Sequence, residues 1–330
     1  MKSKYIAWAI APIFLIGCSD YLETPPAVDY GENEVFATRA DAEKLLTTLY
    51  AEGMPYGFCM SSSNTDRRLL SSSTLASACD EGEDVATWAM GNAAWNAGNH
   101  TNTNFPWDED CRFYLRNHTM RVANLILKRI HEVPFDEGDP DFNKRTTGEA
   151  YFMRAMLLWE GVYRYGGMPI VRDVIDPTDF SQRPRNSFSD CIDSILIDCD
   201  RATQYLPDYY TDNAKLGRAT RIAALALKAR VLLYAASPLF NTSTPYMSFP
   251  GHENLIGYGN YDRERWKKAA DAAKAAIDAA LASGHYKIHN TGNPEKDYED
   301  VWTIPDNEEI ILGNMKYRNF KTTSRPLVAN

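Results

Sequence analysis

The strongest constraint on this chain is a succession of amphipathic segments of roughly 20 residues, each opened by a capping residue and closed by glycine or proline. A chain patterned this way must bury the apolar stripe of each helix against another helix. Thr38-x-x-Asp41 is a capping box ahead of Ala42, Leu45, Leu46 and Leu49. A second helix is predicted from about Phe113 to Glu132, with Val122, Leu125, Ile126 and Ile130 on one face. A third runs from about Lys144 to Tyr165, carries Phe152, Ala155, Met156, Trp159 and Tyr163, and is stopped by Gly166-Gly167 and Pro169. A fourth opens at Ser187-x-x-Asp190, buries Ile192, Ile195, Leu196 and Cys199, and ends before Pro207. A fifth, Arg218 to Ala236, ends at Pro238 and is apolar on more than one side, so neighbours should cover most of it. The sixth, Asp262 to Ser283, places Trp266, Ala269, Ala270, Ala273, Ile277 and Ala280 on one face, and Gly284 closes it.

Alanine at contact positions lets helices approach closely. Paired helices of this kind predict a mainly α fold, a tetratricopeptide-like scaffold of helical pairs, although the strict repeat of about 34 residues is not visible. Little β is expected; Glu308 to Leu312 reads as one short strand.

The N-terminus carries a different signal. Lys2 and Lys4 precede Tyr5 to Ile16, an uncharged and almost wholly apolar stretch of 12 residues. A membrane-spanning helix needs about 20, so this is the core of an export signal. Leu15-Ile16-Gly17-Cys18 has the form of a lipobox, with small Gly17 before the cut and the Cys18 thiol as the site of lipidation. The alternative is an ordinary secretory signal with a chance cysteine. Residues 1–17 are therefore expected to be a lipoprotein signal peptide, 18–37 a lipid-anchored linker, and 38–330 a helical domain. No later segment is apolar for long enough to span a bilayer, so the membrane should be met through the lipid alone.

Lys+Arg number 35 against 44 Asp+Glu, a net charge of -9. Losing the leader removes two lysines and makes the chain more acidic. That argues against nucleic acid or anionic lipid as the main ligand. Besides Cys18 the cysteines are Cys59, Cys79, Cys111, Cys191 and Cys199, with no CxxC pair. Cys191 and Cys199 lie about 12 Å apart along one helix, too far to bridge. A disulfide among the other three is open in an oxidising compartment.

Two long stretches are not helical: Gly53 to Asp110, rich in Ser, Asn, Gly and Trp, and Pro238 to Tyr261. Loops this long in a compact domain are mostly functional or disordered, and their aromatics argue against plain disorder. Sugar rings stack their C–H faces on aromatic planes while their hydroxyls need Asn, Asp, Gln or Arg. Trp88, Asn92, Trp95, Asn96 and Asn99 put that mixture into one loop, preceded by Asp66, Arg67 and Arg68. The competing reading is that Trp88 and Trp95 bury themselves to pin the loop to the helices. Trp159 and Trp266 are expected to be structural, and Glu149, Arg154 and Arg230 to be partners within or between helices. No HExxH, Cys/His metal spacing, phosphate loop or GxSxG elbow is present, and Asp136, Asp139 and Asp141 lack the calcium-loop pattern. No metal or other cofactor is expected.

Several motifs together resemble the SusD/RagB family of outer-membrane lipoproteins. Cys18-Ser19-Asp20-Tyr21-Leu22-Glu23 is similar to the family's start after the lipobox. The run from Gly148-Glu149-Ala150-Tyr151-Phe152-Met153-Arg154-Ala155 to Tyr165-Gly166-Gly167-Met168-Pro169-Ile170 resembles its most recognisable helix and turn. Arg121-Val122-Ala123-Asn124, Leu206-Pro207, Gly217-Arg218-Ala219-Thr220, the stretch from Ala226 to Pro238, and Tyr298 with Asn307-Glu308-Glu309-Ile310-Ile311 follow in family order. The tyrosine-rich approach to Asn124 is displaced here to Phe113-Tyr114. Family members usually continue beyond this length, so the resemblance implies the N-terminal part of one.

What the resemblance implies is a SusD-like helical scaffold whose long irregular loops bind ligand. It implies a surface-exposed lipoprotein of the outer membrane that captures nutrient, most often glycan, and serves a SusC-like TonB-dependent transporter. It implies no enzymatic activity. Acidic Asp20 and Glu23 resemble a surface-export signal. Trp107 and Trp302 fall where the family packs an aromatic, so both are expected in the core, and Lys316, Tyr317 and Arg318, which follow the expected strand, are expected to face the ligand surface. The candidate ligand-binding set is thus Arg67, Trp88, Asn92, Trp95, Asn96, Asn99 and Tyr317. The alternatives are a RagB-like peptide binder, a tethered helical glycoside hydrolase, which needs two carboxylates facing one cleft, and a pure interaction scaffold.

Overall fold

The computed structural model describes residues 31–54, 80, 97–99, 113–176, 178–304 and 306–313. Among them every regular element is helical. In chain order these are α1 (Glu32–Val35), α2 (Arg39–Gly53), α3 (Phe113–Arg129), α4 (Phe142–Tyr165), α5 (Phe188–Tyr205), α6 (Arg221–Ala236), α7 (Glu253–Ile256), α8 (Glu264–Ala282) and α9 (Pro294–Thr303). The long helices pack each on the next, α2 on α3, α3 on α4, α4 on α5, α5 on α6, and α8 on α6. This is the helical-pair scaffold expected from the sequence.

Local chemistry sets the helix ends. The Thr38, Ser187 and Thr220 hydroxyls accept from the backbone N–H of Asp41, Asp190 and Ala223. Gly166 ends α4 in a positive-φ conformation (φ 75°, ψ -144°) while its N–H donates to the Val162 carbonyl. α3 tightens into a single 3-10 turn, Ile130–Glu132, rather than running helical to Glu132. α6 begins at Arg221 rather than Arg218, because Thr220 caps it and leaves Arg218 in the preceding turn.

α4 and α5 run antiparallel. Gly148 near the start of α4 sits so close to the end of α5 that an added Cβ would lie 2.8 Å from Tyr205 and Leu206. Further along, Arg154 meets Asp198. Past the end of α4 the Met168 N–H donates to Cys191 Sγ at 3.2 Å, near the start of α5. The core is in two parts. One gathers Leu46, Leu49, Ile126, Phe152 and Met153 beneath α2, α3 and α4. The other gathers Trp159, Phe188, Ile192, Ile195, Cys199 and Val231 beneath α4, α5 and α6. Phe188 stacks on Phe240 with centroids 4.4 Å apart and meets Tyr258 edge-on at 5.2 Å. A buried aromatic of this size contributes about 1.5–3 kcal/mol by its burial.

Three expectations are corrected. Glu308 to Leu312 is no strand. The Asn307 side chain accepts from the Glu309 N–H, the Ile310 N–H donates to the Asn307 carbonyl, and a turn forms, with no strand among the described residues to pair with it. α8 buries Ala269 and Ala276, whereas Trp266 and Ile277 remain 38% and 58% exposed. Its alanine seam permits close packing on α6, and the bulky residues are left on the open side. Leu233 and Tyr234 likewise leave α6 less covered than its composition suggests. α9, in turn, was not evident from periodicity; Asn293 caps it and Pro294 occupies its first turn.

The Pro238 to Tyr261 stretch is irregular apart from α7. It is anchored by buried Asn241, which accepts from the Asp262 N–H (2.8 Å) and from Arg265 Nη1 (2.6 Å). No described helix is long and apolar enough to cross a membrane.

Candidate functional site

Of the residues singled out from the sequence, Cys18, Arg67, Trp88, Asn92, Trp95, Asn96 and Tyr317 lie outside the described residues, as do Asp66, Arg68, Trp107, Lys316, Arg318, Cys59, Cys79 and Cys111. Asn99 is described, and it is exposed beside Gly98, which has a φ of 68°. Trp302 is placed on α9. Cys191 and Cys199 are free thiols, both buried. Burial pushes each thiol's pKa up, which keeps it protonated and unreactive.

The described surface is held in shape by two ionic clusters that the helix stack creates. In the first, Arg154 grips Asp198 with two guanidinium nitrogens and donates its third to Asn124 Oδ1 at 3.0 Å. Asn124 Nδ2 donates to the Val171 and Asp173 carbonyls, and Arg172 joins Asp198 at 3.1 Å. Helices α3, α4 and α5 and the strap after α4 are thereby tied at one point.

In the second cluster, fully buried Glu149 lies 3.3 Å from both Arg145 Nε and Arg218 Nη1. Arg218 also reaches Glu43 on α2 at 2.9 Å, and Arg145 holds Asp139 with a fork of 2.9 and 2.8 Å. Burial raises the Glu149 carboxyl above its ordinary range, against the pull of the two arginines. Asp139 is held low by Arg145. The sequence-based reading of Glu149 and Arg154 as structural partners holds, whereas Arg230 is exposed. In the aspartate-rich turn before α4, Asp136 pairs with Arg39 and Asp139 with Arg145, while the Asp141 side chain makes no ion pair among the described residues. Among the described residues no group of three or more His, Cys, Asp or Glu is placed to hold a metal ion.

Besides a cavity of about 370 Å³ between α6 and α8, two others lie beside the connecting segments. One, of about 260 Å³, lies between α3, α4 and the strap at 168–175. Met120, Leu157, Leu158, Met168 and Val171 make it mostly apolar, with Arg121 among the few polar groups lining it. It adjoins the first turns of α3, directly after the tryptophan- and asparagine-rich part of the sequence. The other, of about 320 Å³, lies where α4 begins and α5 ends, and its lining mixes tyrosines with charged and amide side chains. Its tyrosines come from the Tyr205–Tyr210 stretch, which the sequence-based reading passed over. Three tyrosines around Pro207 were the available signal.

The scaffold of helical pairs thus carries one mostly apolar cavity and one that mixes tyrosines with polar groups, and the comparisons give the chain a family. A family model described as "Starch-binding associating with outer membrane" matches residues 20–233, and the chain belongs to this SusD-like family. Solved structures share its fold. A protein designated BT4246 is 25% identical with a TM-score of 0.57, matched over 78% of this chain and 43% of that one. A laminarin binding SusD-like protein is 19% identical with a TM-score of 0.58, over 84% and 51%. A SusD-like carbohydrate binding protein from Bacteroides vulgatus ATCC 8482 is 17% identical with a TM-score of 0.56, over 84% and 51%. The chain spans about half the length of these structures. No protein of curated function matches it.

Proposed function

We propose that this chain is a surface lipoprotein of the outer membrane that captures glycan and passes it to a SusC-like TonB-dependent transporter. The observation that carries the reading is the family match. It begins at residue 20, two positions after Cys18, and its description couples starch binding with the outer membrane. Lipid on Cys18 is the tether. Arg67, Trp88, Asn92, Trp95, Asn96, Asn99 and Tyr317 form the ligand surface, the tryptophans stacking on sugar rings and the amides and Arg67 meeting hydroxyls. The chain binds and does not cleave.

Calorimetry against neutral glycans tests this, with laminarin first because one structural relative is named for binding it. A Trp88→Ala/Trp95→Ala variant should lose about tenfold or more in affinity, ~1.4 kcal/mol. No binding to any glycan would overturn the reading. So would released sugar that vanishes when one carboxylate is changed. Labelled palmitate incorporated by the wild type and not by Cys18→Ser tests the anchor.

A further inference from the structure

A second surface of this molecule has the makings of a sugar site. α5 ends at Tyr205, and Leu206-Pro207 turns the chain away, leaving Tyr209 and Tyr210 on the return path to α6. Tyr210 turns inward and donates its hydroxyl to the Ala219 carbonyl at 3.1 Å. Tyr209 stays 37% exposed. Its ring lies flat on the His285 imidazole, centroids 4.6 Å apart and planes 3° from parallel. The stack fixes the phenol ring and leaves its second face without an aromatic partner among the described residues. An immobilised aromatic plane with one open face costs a ligand little ordering entropy to use.

Cavities open on both sides of this tyrosine pair. The larger, about 320 Å³, runs toward the start of α4, and a smaller one of about 40 Å³ runs toward His285 and Asp306. Tyr209, Tyr210 and Lys215 line both, so the two form one trough with Tyr209 at its middle. The larger part alone reaches the ~300 Å³ at which small-molecule sites begin.

Charge selects the class of ligand. The larger cavity is lined by Asp139, Asp141 and Asp212 against Lys144, Arg145 and Lys215. The signs balance, which suits neither a phosphate nor a polyanion. Asp139 and Arg145 are used up on each other and stiffen the floor. Asp141, Lys144 and Gln204 are exposed at the rim, and no hydrogen bond joins their side chains to other described residues. Unspent donors and acceptors around an aromatic plane, with no net charge, match a neutral ligand dense in hydroxyls.

We propose that this trough is a second saccharide subsite, in which Tyr209 stacks against a neutral sugar ring and Asp141, Lys144 and Gln204 hydrogen-bond its hydroxyls. It stands apart in sequence from the 67–99 stretch and rests on the glycan reading above. A long glycan held at two places would gain avidity without new contacts at either.

The test is hydrogen exchange of the full chain with maltohexaose and with laminarihexaose. The expected result is slowed exchange in peptides covering 204–216. Tyr209→Ala should remove that protection and weaken binding about tenfold, ~1.4 kcal/mol. Lys144→Ala/Gln204→Ala, two exposed positions that leave the core intact, should remove it as well, whereas Tyr209→Phe should keep it. Protection confined to 81–99, unchanged in the Tyr209 and Lys144/Gln204 variants, would overturn the trough and leave the proposed function standing. Protection at 204–216 with none at 81–99 would support the trough and overturn the loop site. No protection with either hexasaccharide would overturn the trough; binding to other glycans by calorimetry would still uphold the wider reading.

Discussion

Arg154 and Asp198 face each other across α4 and α5 with paired contacts, Nε to Oδ2 at 2.8 Å and Nη2 to Oδ1 at 2.7 Å, both side chains almost fully buried. Removing one member leaves the other charged without solvent, which costs about 3–5 kcal/mol. Asp198→Ala should be the more damaging change, because Arg172 loses its anion too. The Arg154→Met/Asp198→Leu pair should recover much of the loss. Urea titrations of the three variants check this; equal loss in the single and paired variants would show that packing, not charge, dominates.

Gly166 offers a second test. Its φ of 75° with ψ of -144° is a region nearly closed to other residues, and a Cβ there would lie 2.1 Å from the Leu255 carbonyl oxygen. Gly166→Ala should cost about 1–3 kcal/mol from the backbone alone, and more from the collision. Gly284→Ala, at φ 71° with nothing within 4 Å of the new Cβ, is the control for a positive-φ glycine without a collision. If the two variants melt alike, the Leu255 contact is soft.

These two cases also show what the sequence made legible. The end of α4 at Gly166 could be read because the signal is local, as could the caps at Thr38 and Ser187. The partner of Arg154 could not, since 44 residues separate it from Asp198 and only the helix register joins them. α8 misled because its alanines form two seams, and periodicity cannot say which one meets α6. The apolar run at Ile310-Ile311-Leu312 resembled a strand, yet strand formation needs a partner that sequence alone does not supply. The helices were legible because their signals repeat along the chain, whereas of the candidate ligand residues only Asn99 is among those described.

His289 makes the region after α8 sensitive to pH. Its Nε2 lies 3.0 Å from Asp300 and its Nδ1 3.2 Å from Glu308, with Asp297 at 4.0 Å. Lys296 and Lys287 flank the same carboxylates, and Glu309 accepts from the His289 backbone N–H. Only the doubly protonated ring can donate to both partners. Hydrogen bonds to Asp300 and then Glu308 raise the His289 pKa, and those two carboxyls are lowered in return. A raised histidine contributes fully below its unfolded value, about 6.5, and its contribution fades as pH climbs through the folded value. The carboxylates' contribution fades in the opposite direction, as pH falls through their lowered values. The protection factors of amides over 285–312, observed exchange divided out by its intrinsic base-catalysed rate at each pH, should therefore be greatest in mildly acidic solution and fall on the alkaline side. His289→Gln should abolish that alkaline fall in protection, and its persistence in that variant would exclude the imidazole as the cause.

Glu149, also raised, acts with the same sign as His289 and opposite to the lowered carboxylates around that histidine. Burial, the largest influence, holds its carboxyl above the ordinary value although Arg145 and Arg218 stand 3.3 Å away. The folded chain thus keeps this proton to a higher pH than the unfolded chain does, and stability falls as pH rises through that window. Glutamine copies the protonated acid in shape and charge. Glu149→Gln should therefore cost less at neutral pH than in acid, with a neutral-pH loss of about 1 kcal/mol or under. Glu149→Ala should lose about 3–5 kcal/mol, because it takes a fully buried partner from Arg145 and Arg218 and leaves a void between them. Urea titrations of both variants across the acid-to-neutral range check the sign. If the cost of Glu149→Gln instead grows toward neutrality, the two arginines outweigh burial and the carboxylate is the favoured form.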